Sequence, residues 1–371
     1  MSMLKRSRTA VERALLSRSM GLPPAVQRRL AGPPVEVDGQ RLAVDTQLML
    51  RLQKTARLPA ADTLPTGRAR AQTRHETALA GGDQPIGSVR DLTAGGRPAR
   101  LYVPAGAADV GPLLVFFHGG GFFVGDLDTH DASCRVLAHG AGVRVLAVDY
   151  RLAPEHPFPA AHDDAEAAYH WAVDHARELG ADPARIAVGG DSAGGTLAAA
   201  TALHAARTGL PCAAQMLVYP AVDPGRGSDP ENRSSELFAE GFYLTSGYME
   251  RANEAYLGDP SGDTDAGRDP RMSLVLTDLA AVADRLAPAY VCTAGFDPLR
   301  DEGERYARLL SSAGVAVTTR RFDDQIHGFF NVVGVGRTAR ACVDEIAAWL
   351  GSALGQTPGS TPGQAPGSTP G

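Results

Sequence analysis

A serine flanked by small residues is the first part of the chain whose surroundings could support chemistry. Ser192 lies in the stretch Gly-Gly-Asp-Ser-Ala-Gly-Gly at 189–195, after an apolar run at 186–188 and before an alanine-rich run at 196–206. A strand, a Gly-x-Ser-x-Gly turn and a helix form the context in which a strained turn exposes a nucleophilic hydroxyl. Small neighbours are needed because the strand and helix backbones approach closely there. The alternatives for this stretch alone are a glycine-rich helix start and a weak phosphate-binding loop.

A nucleophilic serine in this context needs an orienting acid and a base, and both are expected to follow it along the chain. Asp297 comes just after the apolar run 289–293, at the carboxyl end of a predicted strand. Asp301 and Glu302 are close rivals, but they suit the first turn of the next helix, where the helix dipole favours carboxylates. We therefore expect Asp297 to be the acid, and Asp301 is the alternative.

Histidine is the side chain best suited to act as the base. His327 follows the last predicted strand, 315–322, and it is the only histidine after His204. A lone histidine in a loop is usually structural. If Ser192 is the nucleophile, however, the order along the chain leaves His327 as the one candidate. The expected catalytic residues are therefore Ser192, Asp297 and His327, with the metal-free chemistry of an activated serine.

A second glycine-rich stretch precedes the serine and suggests a binding site for a developing oxyanion. The apolar run 113–117 is followed by His-Gly-Gly-Gly-Phe at 118–122, and consecutive glycines leave backbone N–H groups unshielded. We expect the N–H groups of Gly119, Gly120 and Ala193 to form the oxyanion hole. The alternative is a flexible glycine turn, and His118 is expected to order the loop by hydrogen bonding.

Several phenylalanines lie in or near these stretches and are candidates for an apolar substrate pocket. The alternative for each of them is a place in the hydrophobic core. The candidates are Phe122, Phe123, Phe242, Phe296 and Phe329.

Composition and charge exclude several classes of protein. The chain has 371 residues, a formal net charge of −6 and no basic patch, so nothing indicates nucleic acid binding. No apolar run approaches the roughly 18 residues that a membrane span needs. The basic residues near the N-terminus are not followed by the apolar core of a secretory signal. The 4 cysteines lack metal-like spacing, and we expect them to be reduced in a cytoplasmic protein.

Continuous apolar strands alternate with helical segments from residue 81 onwards. This pattern predicts an α/β fold with a mostly parallel central sheet that helices cover on both faces. Residues 81–221 and 276–352 are expected to form this core. Residues 1–80 read as helices that either pack on the core or cover a pocket, and 222–275 is longer than a connection needs. The Pro- and Gly-rich segment 353–371 is expected to be disordered.

These motifs together resemble the bacterial hormone-sensitive-lipase-like esterases (family IV) of the α/β-hydrolase superfamily. The resemblance covers roughly residues 85–350. The matching pieces are His-Gly-Gly-Gly-Phe at 118–122, Gly-Asp at 125–126, His-Asp at 130–131, Asp-Tyr-Arg-Leu-Ala-Pro-Glu at 149–155, the serine stretch at 189–195, Asp-Pro-Leu at 297–299, Asp-Glu at 301–302 and His-Gly-Phe at 327–329.

The resemblance implies an α/β-hydrolase fold with a helical cap built from 1–80 and 222–275. It also implies hydrolysis of short-to-medium-chain acyl esters without a cofactor, and it suggests a homodimer. A small-molecule ester is then the expected partner. Three alternatives are an amide deacetylase or lactonase with the same triad, a lipase acting at an oil interface, and a non-catalytic ligand receptor. The last is disfavoured because the serine, the acid and the histidine are all present.

Overall fold

The computed structural model describes residues 3–57, 59–225 and 231–356, with side chains from residue 12 onwards. The strands are β1 Glu36–Val37, β2 Gln40–Arg41, β3 Ser88–Ala94, β4 Arg97–Val103, β5 Gly111–Phe117, β6 Arg144–Val148, β7 Ala181–Asp191, β8 Gln215–Val218, β9 Ala289–Phe296 and β10 Val317–Ile326. The helices are α1 Met3–Met20, α2 Pro24–Ala31, α3 Val44–Ala56, α4 Thr66–Gly81, α5 Asp131–Ala141, α6 Ala160–Asp174, α7 Ala193–Thr208, α8 Ser234–Leu237, α9 Ser246–Leu257, α10 Arg300–Ser312 and α11 Arg337–Ala353.

The central sheet has eight strands in the order β10-β9-β8-β7-β5-β6-β4-β3. The strands from β10 to β6 in that order are parallel, and only β4 and β3 pair in the antiparallel sense. The expected mostly parallel α/β sheet is therefore confirmed. Its carboxyl edge gathers the loops that follow β5, β7, β9 and β10, where ligands bind in open sheets of this type.

The central strands are apolar because both of their faces are covered. Every residue of β5 and β6 is buried. Helices α6, α7 and α10 pack on one face of the sheet, and one continuous core cluster joins them to the strands. Helices α5 and α11 cover the other face in a second cluster. Strands of this kind show no apolar–polar alternation, which is why they appear as continuous apolar runs in the sequence.

The N-terminal region contributes to the core as well as to the surroundings of the cavity described below. Leu48 and Met49 of α3 are buried in the same cluster as Ile326 and the side chains of α11. The β2 segment leads into Ala43, whose N–H donates to the backbone oxygen of Asp324. These contacts anchor the region beside the end of β10.

The segment 222–275 contains α8 and α9, and its residues 226–230 lie outside the described residues. Most of the Pro- and Gly-rich tail expected to be disordered, 357–371, also lies outside them. In the described part of the chain, no helix is both long and apolar enough to cross a bilayer. The four cysteines are free thiols, and all but Cys212 are buried.

Candidate active site

Ser192 occupies a sharp turn between the end of β7 and the start of α7. Its backbone has φ 54° and ψ −121°, in a region that residues other than glycine rarely adopt. This sharp turn brings the backbones of the strand and the helix very close to each other. A Cβ atom on Gly194 would lie 2.0 Å from the backbone oxygen of Phe117, and one on Gly190 would lie 2.2 Å from that of Gly194. The small residues around Ser192 are therefore required by packing.

His327 lies between the serine and Asp297. Its Nε2 atom is 2.9 Å from Oγ of Ser192, and its Nδ1 atom is 2.8 Å from Oδ2 of Asp297. Asp297 is completely buried and its other oxygen accepts the N–H of Leu299 at 2.8 Å. The ring of Tyr219 packs against the imidazole, with ring centroids 4.4 Å apart. The structure thus brings together the three side chains that the sequence predicted as nucleophile, base and acid.

The rival acids lie in other contacts. Asp301 and Glu302 begin α10, as expected from the helix dipole. Glu302 accepts the backbone N–H groups of Val222 and Asp223. Asp301 accepts the N–H of Ser234 and binds a neighbouring arginine. Both carboxylates therefore tie the segment after β8 to α10.

The glycine loop after β5 departs from the expectation at one position. The N–H of Gly119 donates to Oδ1 of Asp191 at 2.8 Å, so it is not available to a substrate oxygen. The expectation that Gly119 contributes to the oxyanion hole is therefore corrected. Within the described residues, the N–H groups of Gly120 and Gly121 donate to no other group.

Gly120 and Gly121 adopt φ angles of 121° and 57°, which turn the loop back on itself. A Cβ atom on Gly120 would lie 2.2 Å from the backbone oxygen of Val124. Ala193 is the first residue of α7, and the first N–H groups of a helix lack intrahelical partners. The free donors beside Ser192 are thus those of Gly120, Gly121 and Ala193.

Asp191 is a buried carboxylate whose role the sequence analysis missed. Besides the Gly119 N–H, it is 3.1 Å from Nε2 of His130 and accepts the Tyr219 hydroxyl at 3.3 Å. Burial alone raises the pKa of the Asp191 carboxyl, but His130 and the Gly119 N–H outweigh that effect and hold the pKa below its ordinary value. The one signal in the sequence was an acidic residue at the buried end of a strand.

His118 holds the glycine loop in place through a hydrogen bond, as the sequence analysis expected. Its Nδ1 atom lies 2.8 Å from the backbone oxygen of Gly119, and its ring stacks on Tyr150 with centroids 4.3 Å apart. The Tyr150 hydroxyl donates to the His118 backbone oxygen at 2.7 Å. Burial, together with the nearby His130, lowers the pKa of His118 to about 4, so the imidazole is neutral at physiological pH.

Two cavities meet at Ser192. The larger has a volume of about 270 Å³ and extends from Ser192 and His327 towards α3 and α4. The smaller, of about 40 Å³, lies on the other side of Gly121 and Ala193. Its walls are mainly apolar and include Ala221, Leu244, Met249, Met272 and Leu299.

The five candidate phenylalanines do not line the larger cavity, and only Phe122 lines the smaller one. Phe122 and Phe123 pack on Tyr256 and Tyr248, respectively. The remaining three contact other aromatic rings in the core: Phe242 and Phe296 pack against each other, and Phe329 lies against Tyr219. The expectation of a phenylalanine-lined pocket is therefore corrected for Phe123, Phe242, Phe296 and Phe329, which pack against other aromatic rings, whereas Phe122 does line the smaller cavity. Tyr243 and Tyr248 line the larger cavity instead.

Comparison with known proteins places this geometry in a family. A family model described as the alpha/beta hydrolase fold matches residues 114–331. The chain is 43% identical over 341 residues to the carboxylic ester hydrolase LipN of Mycobacterium tuberculosis, covering 88% of this chain and 87% of that protein. It is 37% identical over 301 residues to an ethyl acetate hydrolase of Pseudomonas putida, covering 78% of this chain and 91% of that protein.

Solved structures agree with these sequence matches. An ester hydrolase from the metagenome of Lake Arreo, solved with a derivative of bipyridine phosphonate, has a TM-score of 0.78 at 39% identity and covers 85% of this chain and 100% of its own. An esterase of Pyrobaculum calidifontis has a TM-score of 0.74 at 38% identity, and the match covers 81% of this chain and 97% of that esterase. The protein is therefore a carboxylic ester hydrolase, and it belongs to the hormone-sensitive-lipase-like esterases (family IV) of the α/β-hydrolase superfamily.

Proposed function

We propose that Ser192, Asp297 and His327 are the catalytic triad of this carboxylesterase, and that it hydrolyses esters of short acyl chains. The observation that carries the proposal is the unbroken series of contacts from Asp297 through both nitrogens of His327 to Ser192, at 2.8 and 2.9 Å. A serine hydroxyl becomes a useful nucleophile only when a base of this kind takes its proton. The relatives named above support esters as the substrate class.

In the first half of the reaction, His327 accepts the Ser192 proton while the serine oxygen attacks the ester carbonyl. The buried Asp297 keeps the proton on Nδ1 of His327, so that Nε2 faces Ser192, and it stabilises the imidazolium that forms. The N–H groups of Gly120, Gly121 and Ala193 stabilise the negative oxygen. His327 then gives its proton to the departing alcohol, which leaves the acyl group on the serine.

In the second half, water takes the place of the alcohol. His327 accepts a proton from this water, which attacks the acyl carbonyl in the same oxyanion site. Collapse of the second intermediate returns the proton to Ser192 and releases the carboxylic acid. Neither half requires a cofactor or a metal ion, because residues already in contact supply the proton transfer and the charge stabilisation.

The preference for short acyl chains follows from the sizes of the two cavities. We assign the acyl group to the cavity of about 40 Å³. Gly121 and Ala193 line this cavity beside Ser192, and Met249 and Met272 also line it. This space admits only a few heavy atoms, since a single water needs roughly 10–15 Å³ on the same measure. The alcohol part then lies in the cavity of about 270 Å³.

We further propose that α4 and the segment 222–275 act as the cap over this site. Side chains of α4 line the larger cavity, as do residues 243–245 and Tyr248. Two ion pairs hold α4 on loops of the core, Arg70 with Glu155 and Arg74 with Asp126. The cap therefore joins the core through contacts that can open without disturbing the sheet.

We also propose a cytoplasmic enzyme with a small ester as its partner and no nucleic acid. The free thiols of the four cysteines support a reducing compartment, and the net charge of −6 opposes binding to nucleic acid. A homodimer is proposed from the family resemblance alone. Light scattering during size-exclusion chromatography measures its mass, and a single species of one chain would contradict it.

Hydrolysis of p-nitrophenyl esters from acetyl to palmitoyl, with wild type and Ser192→Ala in parallel, tests the proposal. We expect the highest kcat/KM for short chains, a steep decline for long ones, and a loss of roughly four to six decades in kcat in the variant. A maximum at long chains would contradict the acyl assignment. If only amide or lactone substrates were hydrolysed, the ester proposal would be wrong although the triad would stand.

A further inference from the structure

The wall of the larger cavity that faces Ser192 from the N-terminal region carries two half-buried carboxylates. Asp62 lies in the short turn 61–63, and Glu76 lies on α4. Glu76 accepts a hydrogen bond from Gln72 at 2.9 Å. Carboxylates in a partly enclosed cavity are costly unless a cation or several donors accompany them.

The nearby cations of α4 are all engaged elsewhere. Arg70 binds Glu155 at 2.7 Å, Arg74 binds Asp126, and His75 lies 3.0 Å from Glu12. Within the described residues, no cationic nitrogen approaches either Asp62 or Glu76 to within 4.0 Å. The wall therefore presents negative charge to whatever occupies the cavity.

Two aromatic rings lie beside these carboxylates in the same cavity. Tyr243 has a φ of 77°, and its ring covers Gly328, next to His327. Burial, followed by the effects of Tyr243, Asp62 and Glu76, raises the pKa of the Tyr248 hydroxyl above its usual range. Both carboxylates thus act on the same tyrosine, and aromatic faces next to carboxylates are the surroundings that aliphatic ammonium groups prefer.

Burial also raises the pKa of the Glu76 carboxyl, although the Gln72 hydrogen bond and the charge of His75 oppose the shift. The described residues therefore do not fully compensate the charge of Glu76. A cationic group bound nearby would supply that compensation. Lys54 of α3 also lines the cavity, and its positive charge would repel a cationic ligand. The residue is exposed and carries its ammonium on a long, flexible side chain.

We propose that the larger cavity selects esters whose alcohol part carries an aliphatic ammonium group, held between Asp62, Glu76 and the rings of Tyr243 and Tyr248. This inference rests on the proposed function, because it places the alcohol in that cavity. Lys54 acts against the preference, so its removal should strengthen it. The occupants of the acyl cavity are unaffected, since its lining includes neither carboxylate.

Two isosteric esters provide the test. Butyrylcholine and 3,3-dimethylbutyl butyrate share the acyl group and differ in a trimethylammonium against a tert-butyl group. Because the charge also activates the leaving group, the informative quantity is the change in the ratio of their kcat/KM values between variants. We expect Asp62→Asn with Glu76→Gln to lower the ratio by roughly fivefold or more, and Lys54→Met to raise it. Glu254→Gln, an exposed change on α9 outside the cavity lining, should leave it unchanged.

A ratio that stays constant in the double variant, while the neutral ester is still hydrolysed, would overturn the inference and leave the proposed function intact. Failure of the wild type to hydrolyse either ester, although it hydrolyses p-nitrophenyl butyrate, would overturn the inference and leave the proposed function standing. If the double variant does not fold, inhibition of the wild type answers the question. Tetramethylammonium should then compete with p-nitrophenyl butyrate at lower concentrations than neopentanol does, and equal inhibition by the two would overturn the inference.

Discussion

The N–H of Gly119 donates a hydrogen bond of 2.8 Å to the Asp191 carboxylate, one residue before Ser192. This bond joins the glycine loop after β5 to the turn that carries Ser192. It also fixes the direction of the loop, so that the next two N–H groups remain free beside Ser192. One buried carboxylate therefore positions both the proposed nucleophile and the N–H groups proposed to bind the oxyanion.

The variant Asp191→Asn tests this relationship. The amide can still accept one hydrogen bond, but it loses the charge that faces His130 at 3.1 Å. We expect kcat on p-nitrophenyl butyrate to fall by roughly ten- to a hundredfold with a smaller change in KM, because misplaced donors weaken mainly the transition state. Asp182→Asn, at the half-exposed second residue of β7, is the control. Equal kinetics of the two variants would contradict the role of Asp191.

Met249 lines the smaller cavity, and its truncation should change the acyl preference. In Met249→Ala the lost side chain enlarges a space of about 40 Å³. We expect the acyl length of highest kcat/KM to increase by about two carbons, since each added methylene gains buried apolar contact. The series of p-nitrophenyl esters measures this shift. Leu50→Ala enlarges only the other cavity, and an equal shift there would argue against the assignment of the acyl group.

Arg300 braces the loop that carries Asp297. Its guanidinium is 3% exposed, lies 2.9 Å from Asp38 and 2.8 Å from Asp301, and donates to the backbone oxygen of Gly295. Arg300→Met removes the buried cation that Asp38 and Asp301 share, so we expect a loss of about 3 kcal/mol in the free energy of unfolding. Urea denaturation measures it. A loss no larger than that of Arg308→Met, an exposed position on α10, would contradict this view.

Buried neutral histidines make the stability depend on pH. Burial, assisted by the charge of Arg271, lowers the pKa of His162 to about 3, whereas the unfolded value is about 6.5. Because the unfolded chain takes up the proton first, the stabilisation is present above pH 6.5 and is lost progressively as the pH falls towards 3. His118, with a pKa lowered to about 4, acts in the same direction.

Urea denaturation at several pH values tests this dependence. The difference in unfolding free energy between wild type and His162→Gln should shrink by about 1.4 kcal/mol for each pH unit below 6.5. His170→Gln, at the exposed face of the same helix α6, is the control and should show a weaker dependence. A difference that does not vary between pH 7 and 5 would mean that the burial of His162 does not control its protonation.

The sheet and the meeting of Ser192, Asp297 and His327 at one place could be predicted because they follow from local rules. Buried parallel strands appear as continuous apolar runs, and β5 is one. The small residues around Ser192 follow from the close approach of Phe117 and Gly194. Asp297 and His327 are expected from their positions after strands, since such residues meet at one edge of the sheet.

The orientation of the oxyanion loop could not be predicted in the same way. Whether the N–H of Gly119 or that of Gly121 faces the substrate depends on the φ angles of the glycines, and glycine accepts many. The partner that decides the direction, Asp191, lies 72 positions away in the chain. No local pattern contains that contact.

The phenylalanines show a second limit of the sequence. Aromatic residues serve core and pocket equally well, and only the packed structure decides between them. Phe296 ends β9 fully buried against Phe238 and Phe242. Tyr243 and Tyr248 of the larger cavity lie just before α9 and in its first turn. Neither periodicity nor a motif indicates that their side chains face the cavity.

Covalent labelling shows whether Ser192 is the nucleophile. The enzyme is treated with diethyl p-nitrophenyl phosphate, which phosphorylates activated serines, and the modified peptide is identified by mass spectrometry. We expect one diethylphosphoryl group on Ser192, loss of esterase activity in proportion to labelling, and no label in His327→Gln. Complete inactivation with the label on another residue, or activity that persists after Ser192 is fully labelled, would contradict it.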